Sequence, residues 1–238
     1  MLRKVNLNEA DRILTVLTPD FGKISVMAKG VRRLKSRFCG RLETLYHVEL
    51  SCFRGNTLSH LNEAELISAD PLYELDLDQH RILFAIAEIT DRLVPEADHA
   101  AEVYSLLLDT LAHLGKTDKP ENLFHAFLIK LLTILGFMAP WDYCARSRRK
   151  LTAAEPLYLN PVEGCIVCAG YAGALDIRIC APMVKWVNFM QRYAFEDILR
   201  VTTTPGERQQ VWYMLTGMLS NLLSGQLKSD VFLSKARL

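Results

Sequence analysis

Residues 29–41 hold the densest chemistry in this chain: Lys-Gly-Val-Arg-Arg-Leu-Lys-Ser-Arg-Phe-Cys-Gly-Arg. Six of these thirteen residues are cationic and none is acidic, whereas the whole chain carries a formal charge of only +1. Cations at this density suit a polyphosphate. Each one displaces a counterion condensed on the polyanion, and contacts to phosphates carry no base sequence. The candidates are Lys29, Arg32, Arg33, Lys35, Arg37 and Arg41, with Lys23 ahead of them at the end of a turn. Phe38 stands among them, as a stacking platform for a base or as a plug in a core. The alternative for the whole run is a solvated charged loop.

A second constellation is built from thiols. Four of the six cysteines, Cys144, Cys165, Cys168 and Cys180, fall within about 140–181. Cys165-Ile-Val-Cys168 has the spacing of a zinc knuckle, and thiolates suit Zn²⁺. A ribbon site needs a second C-x-x-C, yet Ser147 follows Cys144 where the second thiol would stand. The thiols therefore read either as ligands of a Zn²⁺ site, complete or decayed, or as small buried apolar residues.

Other chemistry is excluded. The chain has no G-x-S-x-G, no H-E-x-x-H and no dinucleotide-binding glycine fingerprint. Gly22-Lys23 ends like a phosphate-binding loop, but Ile24 replaces the required Ser or Thr. The six histidines are scattered and read as surface or strand-end residues. No enzyme is expected.

The elements that must position these groups follow from periodicity. Residues 1–7, 12–18, 23–29, 46–53 and 58–66 are strand candidates, separated by turn signals at 8–11, 18–22 and 54–57. Five short strands in about seventy residues suit a small closed barrel of the OB type. At Asp70-Pro71 the period becomes helical. Stripes run through Ile82–Leu93, Val103–Leu114 and Leu123–Leu135. Residues 182–199 add a helix or two. Thr204-Pro205-Gly206-Glu207 starts a last helix, which runs to Gly225. The predicted fold is α+β and multidomain: a five-stranded OB-fold over 1–78, then an all-helical domain over 79–238 with an irregular cysteine-bearing insert. The first sixty residues hold eleven Lys or Arg against five Asp or Glu, and the remainder 17 against 22. Two modules with different partners are therefore expected. No apolar run reaches the length of a membrane span, and the first residues lack the apolar core of a signal peptide. The cysteine usage then points to the reducing cytoplasm.

The order of motifs E-x-D-R-I (Glu9–Ile13), T-x-x-x-G-K (Thr18–Lys23), A-K-G-x-R-R (Ala28–Arg33) and K-S-R (Lys35–Arg37) resembles the RecO family of bacterial recombination mediators. The layout extends the likeness, with a cysteine-bearing insert after Leu135-Gly136-Phe137. The resemblance implies a non-enzymatic protein of DNA repair and the response to DNA damage. It implies binding of single- and double-stranded DNA and annealing of complementary strands. With RecR, such proteins help RecA replace single-strand-binding protein (SSB), whose acidic tail they contact. RecA itself is reached indirectly, and the site of action is the cytoplasm, at the nucleoid. The tail requires an apolar slot rimmed by cations; Lys130, Lys185, Arg192 and Arg200 are candidates on the helical domain. Family members usually carry several more residues before the first strand, so Met1 reads as an internal or unusual start, and many have two C-x-x-C pairs where this chain has one. A different class stays open beside this reading: an OB-like barrel that binds RNA or a protein in a regulatory role.

Overall fold

The computed structural model describes residues 1–55, 58–69, 74–96, 99–152, 155–223 and 227. The chain divides into two units, Met1–Gly115 and Lys116–Gln226. The turn proposed at 54–57, the change of period at Asp70-Pro71 and the end of the last helix at Gly225 fall partly or wholly outside the described residues.

In the first unit, alternation of apolar and polar residues produces β1 (Arg3–Leu7), β2 (Asp11–Thr18), β3 (Gly22–Ala28), β4 (His47–Phe53) and β5 (Ser59–Ser68). The sheet order is β1-β2-β3-β5-β4. β1, β2 and β3 form an antiparallel meander, β4 and β5 an antiparallel pair, and β3 meets β5 in parallel at Val26↔Ser59 and Met27↔His60. This is a five-stranded sheet with β1 and β4 at its edges; ladder pairing does not close it into the expected barrel. At one end the edges are tied through Met1, whose carbonyl accepts from Leu45 N at 2.7 Å and whose nitrogen donates to Tyr46 O at 3.2 Å. In β3 the period of two is clean, with Val26 and Ala28 buried and Ser25 exposed. In β4 it fails at Cys52, which is exposed, because the register slips between Ser51 and Cys52 and a bulge turns the side chain over.

The basic segment follows β3 as a chain of tight turns. Backbone bonds run from Arg33 to Gly30, Ser36 to Arg33, Cys39 to Ser36 and Arg41 to Phe38. Gly30 opens it at φ +65, a left-handed conformation open to glycine at little cost, and its N–H reaches Asp11 Oδ1 at 2.7 Å. Val31, Phe38 and Leu42 are buried in one cluster with Leu14, Val16, Val26 and Ala64. Phe38 is thus a core plug and not a stacking platform. Two helices complete the unit, α1 (Leu77–Leu93) and α2 (Ala100–Leu114). α1 begins at a capping box made by Asp76 and Gln79, and its apolar stripe Ile82, Leu83, Ile86 and Ile89 is buried.

The second unit centres on α3 (Pro120–Ile134), whose residues from Asn122 to Ile129 are all buried. Around it pack α4 (Ala181–Arg192), α5 (Phe195–Arg200) and α6 (Pro205–Leu222). Thr204 and Glu207 form the expected capping box of α6. The cysteine-bearing insert is not irregular. It contains a three-stranded antiparallel sheet, β6 (Leu157–Asn160), β7 (Cys165–Cys168) and β8 (Ile177–Ile179), in the order β7-β6-β8. Its strands escaped the periodicity argument because they are only three or four residues long. Trp141 ties the insert to the helices: its indole donates to Gly164 O at 3.0 Å, and its backbone exchanges two bonds with the Asn188 side chain. Gly164 has φ +61, and a Cβ there would come within 2.2 Å of Phe137 O, so only glycine fits.

One histidine departs from the surface role expected for all six. His125 is fully buried on α3 and stacks on Trp212 at 6.0 Å, with neither ring nitrogen hydrogen-bonded. Burial, and then the Arg208 charge, lower its pKa from 6.5 to about 3.

Two predictions follow from these cores. Phe38→Ala should lower unfolding stability by about 3–5 kcal/mol, read as a fall in the denaturation midpoint, while Phe38→Leu should cost much less. For His125, the unfolded chain takes up a proton below pH 6.5 and the folded chain refuses it down to about 3. Stability should therefore fall as pH drops through that window. His125→Phe should flatten the fall relative to the parent, measured by denaturant titration at several pH values. An unchanged slope would show that another group carries it.

Candidate nucleic-acid interface

The seven candidate cations separate into two sets. Four are tied to backbone carbonyls of their own unit. The Lys23 ammonium reaches Asp91 O at 2.6 Å, in the last turn of α1, where the helix dipole favours a cation. Arg32 donates to Asn8 O at 3.1 Å, Arg37 to Asn62 O, and Arg41 to Ala64 O at 3.2 Å. Arg37 also lies over the Phe38 ring, 5.0 Å from its centroid. These contacts lash the basic turns to the sheet. The side chains of Lys29, Arg33 and Lys35 are exposed and make no hydrogen bond or ion pair among the described residues. Between the last two stands Leu34, fully exposed at the tip.

The flanking sheet surface has the opposite sign. Glu49 faces Glu65 directly across β4 and β5, and Glu63 lies two residues from Glu65 on the same face. Arg37 and Arg41 line a hollow with these three carboxylates. Like charges placed directly opposite destabilise a sheet unless something screens them, and the two guanidiniums stand along the same hollow. That face repels phosphate. The open cations lie at Lys29 and at the Arg33–Lys35 tip.

The four candidate metal ligands do not form one group: Cys144, Cys165 and Cys168 lie in one buried cluster with Val167, and Cys180 lies outside it. β7 is a strand, so Cys165 and Cys168, three residues apart, project to opposite faces. The Cys165 thiol donates to Glu163 Oε2 at 3.5 Å. Burial first, then that carboxylate, raise its pKa to about 11. Cys168 does meet Cys144. Cys180 sits elsewhere, preceding α4 and facing Gln210 at 3.5 Å. Among the described residues no three His, Cys, Asp or Glu side chains are grouped to share a metal ion.

The Cys144 sulfur takes a different part. It accepts from Ser147 N at 3.4 Å and from Cys168 N at 3.3 Å. Burial pushes its pKa up, but the hydrogen bonds from Ser147 and Cys168 outweigh burial and bring it to about 6. The sulfur thus closes the turn 144–147 against β7 by hydrogen bonds. Four cations, Arg146, Arg148, Arg149 and Lys150, follow Cys144 within six residues. Thiol spacing alone does not reveal them, though a count of charge per five residues does.

Comparison with known proteins matches this arrangement along the whole chain. Residues 1–69 match the family described as "Recombination protein O N terminal", and residues 74–230 match "Recombination protein O C terminal". Curated relatives share the name DNA repair protein RecO. The protein from Symbiobacterium thermophilum is 34% identical over 246 residues, covering all of this chain and 95% of its own length. That from Dehalococcoides mccartyi strain CBDB1 is 28% identical over 239 residues, covering all of this chain and 94% of its own. A third, from Bifidobacterium adolescentis, is 36% identical over 173 residues, 71% of this chain and 70% of its own. On both matches and on the full-length relatives, the chain belongs to the RecO family.

Proposed function

We propose that this protein acts in recombinational DNA repair by binding single- and double-stranded DNA and annealing complementary strands. One observation carries the reading: Lys29, Arg33 and Lys35 are held outward, unpaired, on turns whose apolar residues are buried. Annealing requires two polyanions to approach. Cations that screen phosphates and leave base edges free lower that repulsion without selecting sequence. The carboxylates of β4 and β5 keep the strands off that face. The part that performs this is residues 1–78, whose five-stranded sheet we read as of OB type. The parallel meeting of β3 and β5 and the bonds at Met1 support that assignment. The role is non-enzymatic and its place is the cytoplasm, at the nucleoid. No helix among the described residues is long and apolar enough to cross a membrane.

The remaining roles belong to the helical part, residues 79–238. With RecR it helps RecA onto DNA coated by SSB. The aromatic run on α4, where Trp186 stacks on Phe189 at 5.7 Å and Phe189 on Tyr193 at 4.2 Å, supports α4 as the place to test for the acidic tail of SSB. Lys185 beside them is exposed with no partner among the described residues. The other candidates are engaged: Lys130 with Tyr193 O at 2.7 Å, Arg192 with Asp142, and Arg200 with Asp197 at 3.2 Å. This makes Lys185 the cation to test for the tail.

The loop is tested by changing Lys29, Arg33 and Lys35 together to Ala. If each holds one phosphate, the slope of log affinity against log salt for single strands should flatten by about 2. Affinity should fall alike for unrelated sequences, and thermal stability should move by less than about 0.5 kcal/mol. A folded triple variant with the parent's affinity and slope would sink the reading. Preference for RNA over DNA of the same sequence would favour an RNA-binding role instead. For the insert, a chelator should leave the melting temperature unchanged. Cys144→Ala should cost about 1–3 kcal/mol, because the Cys168 N–H loses its acceptor in a buried place. Melting that shifts with the chelator and is restored by Zn²⁺ would reverse this.

A further inference from the structure

The hairpin Tyr143–Lys150 in the insert presents charge as deliberately as the first unit does. Tyr143 and Lys150 pair across it as an isolated antiparallel bridge. Inside, Cys144 N donates to Arg149 O at 2.8 Å and Arg148 N to Cys144 O at 2.9 Å. Ala145 N donates to Ile166 O of β7 at 2.8 Å, and the Cys144 sulfur closes the turn. The backbone of the tip is therefore fixed from several sides. Of its four cations, Arg146 pairs with Glu163 at 2.6 Å and Arg149 with Glu155 at 3.2 Å. Arg148 and Lys150 are exposed and have no partner among the described residues.

Two details set this hairpin apart from an ordinary charged loop. Arg148 has φ +58, in the left-handed region that a long side chain occupies only at a cost. Glycine would relieve that cost, yet an arginine stands there. Tyr143, directly across from Lys150, leaves 57% of its surface in water. An exposed ring directly across from one unpaired cation, with a second on the same hydrogen-bonded hairpin, has the parts that hold single-stranded nucleic acid: a face for a base and charges for the flanking phosphates. An acidic peptide would want a groove, and the hairpin is a tip.

We propose that Tyr143, Arg148 and Lys150 form a second single-stranded DNA site, in which a base stacks on Tyr143 and the two cations hold its phosphates. This rests on the DNA-binding role proposed above and adds a contact in the second unit, distinct from Lys29, Arg33 and Lys35.

The full chain is the test object, with labelled single-stranded oligonucleotides of unrelated sequence titrated at several salt concentrations. Arg148→Gly with Lys150→Ala should flatten the salt slope by about 1.4 and weaken binding roughly tenfold near 0.1 M salt. Its melting temperature should hold or rise, because glycine accepts a positive φ. Tyr143→Ala should weaken binding roughly fivefold and leave the slope unchanged, since stacking releases no counterion. The inference is overturned if the double variant, folded, keeps the parent's affinity and slope while the triple variant of the first unit loses its own; the hairpin is then a solvated loop. A parent protein that binds no strand in a salt-dependent way would overturn the DNA-binding role itself, and this site with it.

Discussion

Burial of Phe38 is the constraint on which the display of charge depends. Six cations in thirteen residues repel one another, at about 0.7 kcal/mol for each pair some 6 Å apart in water. A free loop would relax by spreading and would meet DNA with its charges scattered. Here Val31, Phe38 and Leu42 reach into the same core as Leu14, Val16 and Val26. A buried Phe stabilises by roughly 1.5–3 kcal/mol, enough to offset several such repulsions. Carbonyls at Asn8, Asn62 and Ala64 then take Arg32, Arg37 and Arg41. Half the charge of the segment thus fastens it, and the rest is free for a ligand.

Charge sign is partitioned within the first unit as well as between the halves of the sequence. The segment is positive, and the β4–β5 face beside it carries Glu49, Glu63 and Glu65. An oligonucleotide-binding sheet would ordinarily use such a face for bases. With three carboxylates there, the face is closed to phosphates unless Arg37 and Arg41 leave their carbonyls. The open cations lie instead at Lys29 and at the Arg33–Lys35 tip. Sequence-tolerant contact at an edge leaves bases uncovered, which is what pairing with a second strand requires.

The elements were legible wherever burial imposes a period. All five strands of the first unit and the stripes of α1, α2, α3 and α6 stand where alternation or helical spacing puts them. β6, β7 and β8 were not legible, because three or four residues do not establish a period and β7 is buried on every residue. The same strand leaves the chemistry of its thiols ambiguous. C-x-x-C converges on one ion when it spans a turn and diverges when it spans a strand, and spacing does not distinguish the two. The cationic side chains were legible as residues but not as roles. Nothing local marks Arg37 as a clamp and Lys35 as free, since the partner of Arg37, Asn62 O, lies 25 residues away. His125 was misjudged for a related reason. Every residue of α3 from Asn122 to Ile129 is buried, and a helix buried all round leaves no face for a histidine to escape to.

The two units solve one problem with different means. The core of the five-stranded sheet takes a phenylalanine that pins the charged segment. The insert, with three short strands, has little core of its own and uses Trp141, Gly164 and a cysteine sulfur. A metal ion would fix such a turn from one point by four bonds. Hydrogen bonds to the Cys144 sulfur fix it from two, Ser147 and Cys168, and leave the hairpin backbone and the Arg146–Glu163 and Arg149–Glu155 pairs to supply the rest. These exposed pairs are each worth little alone. Their effect here is on geometry: with two cations drawn sideways to carboxylates, the remaining two stand forward. In both places the cations that are spent on the protein decide where the unspent ones point.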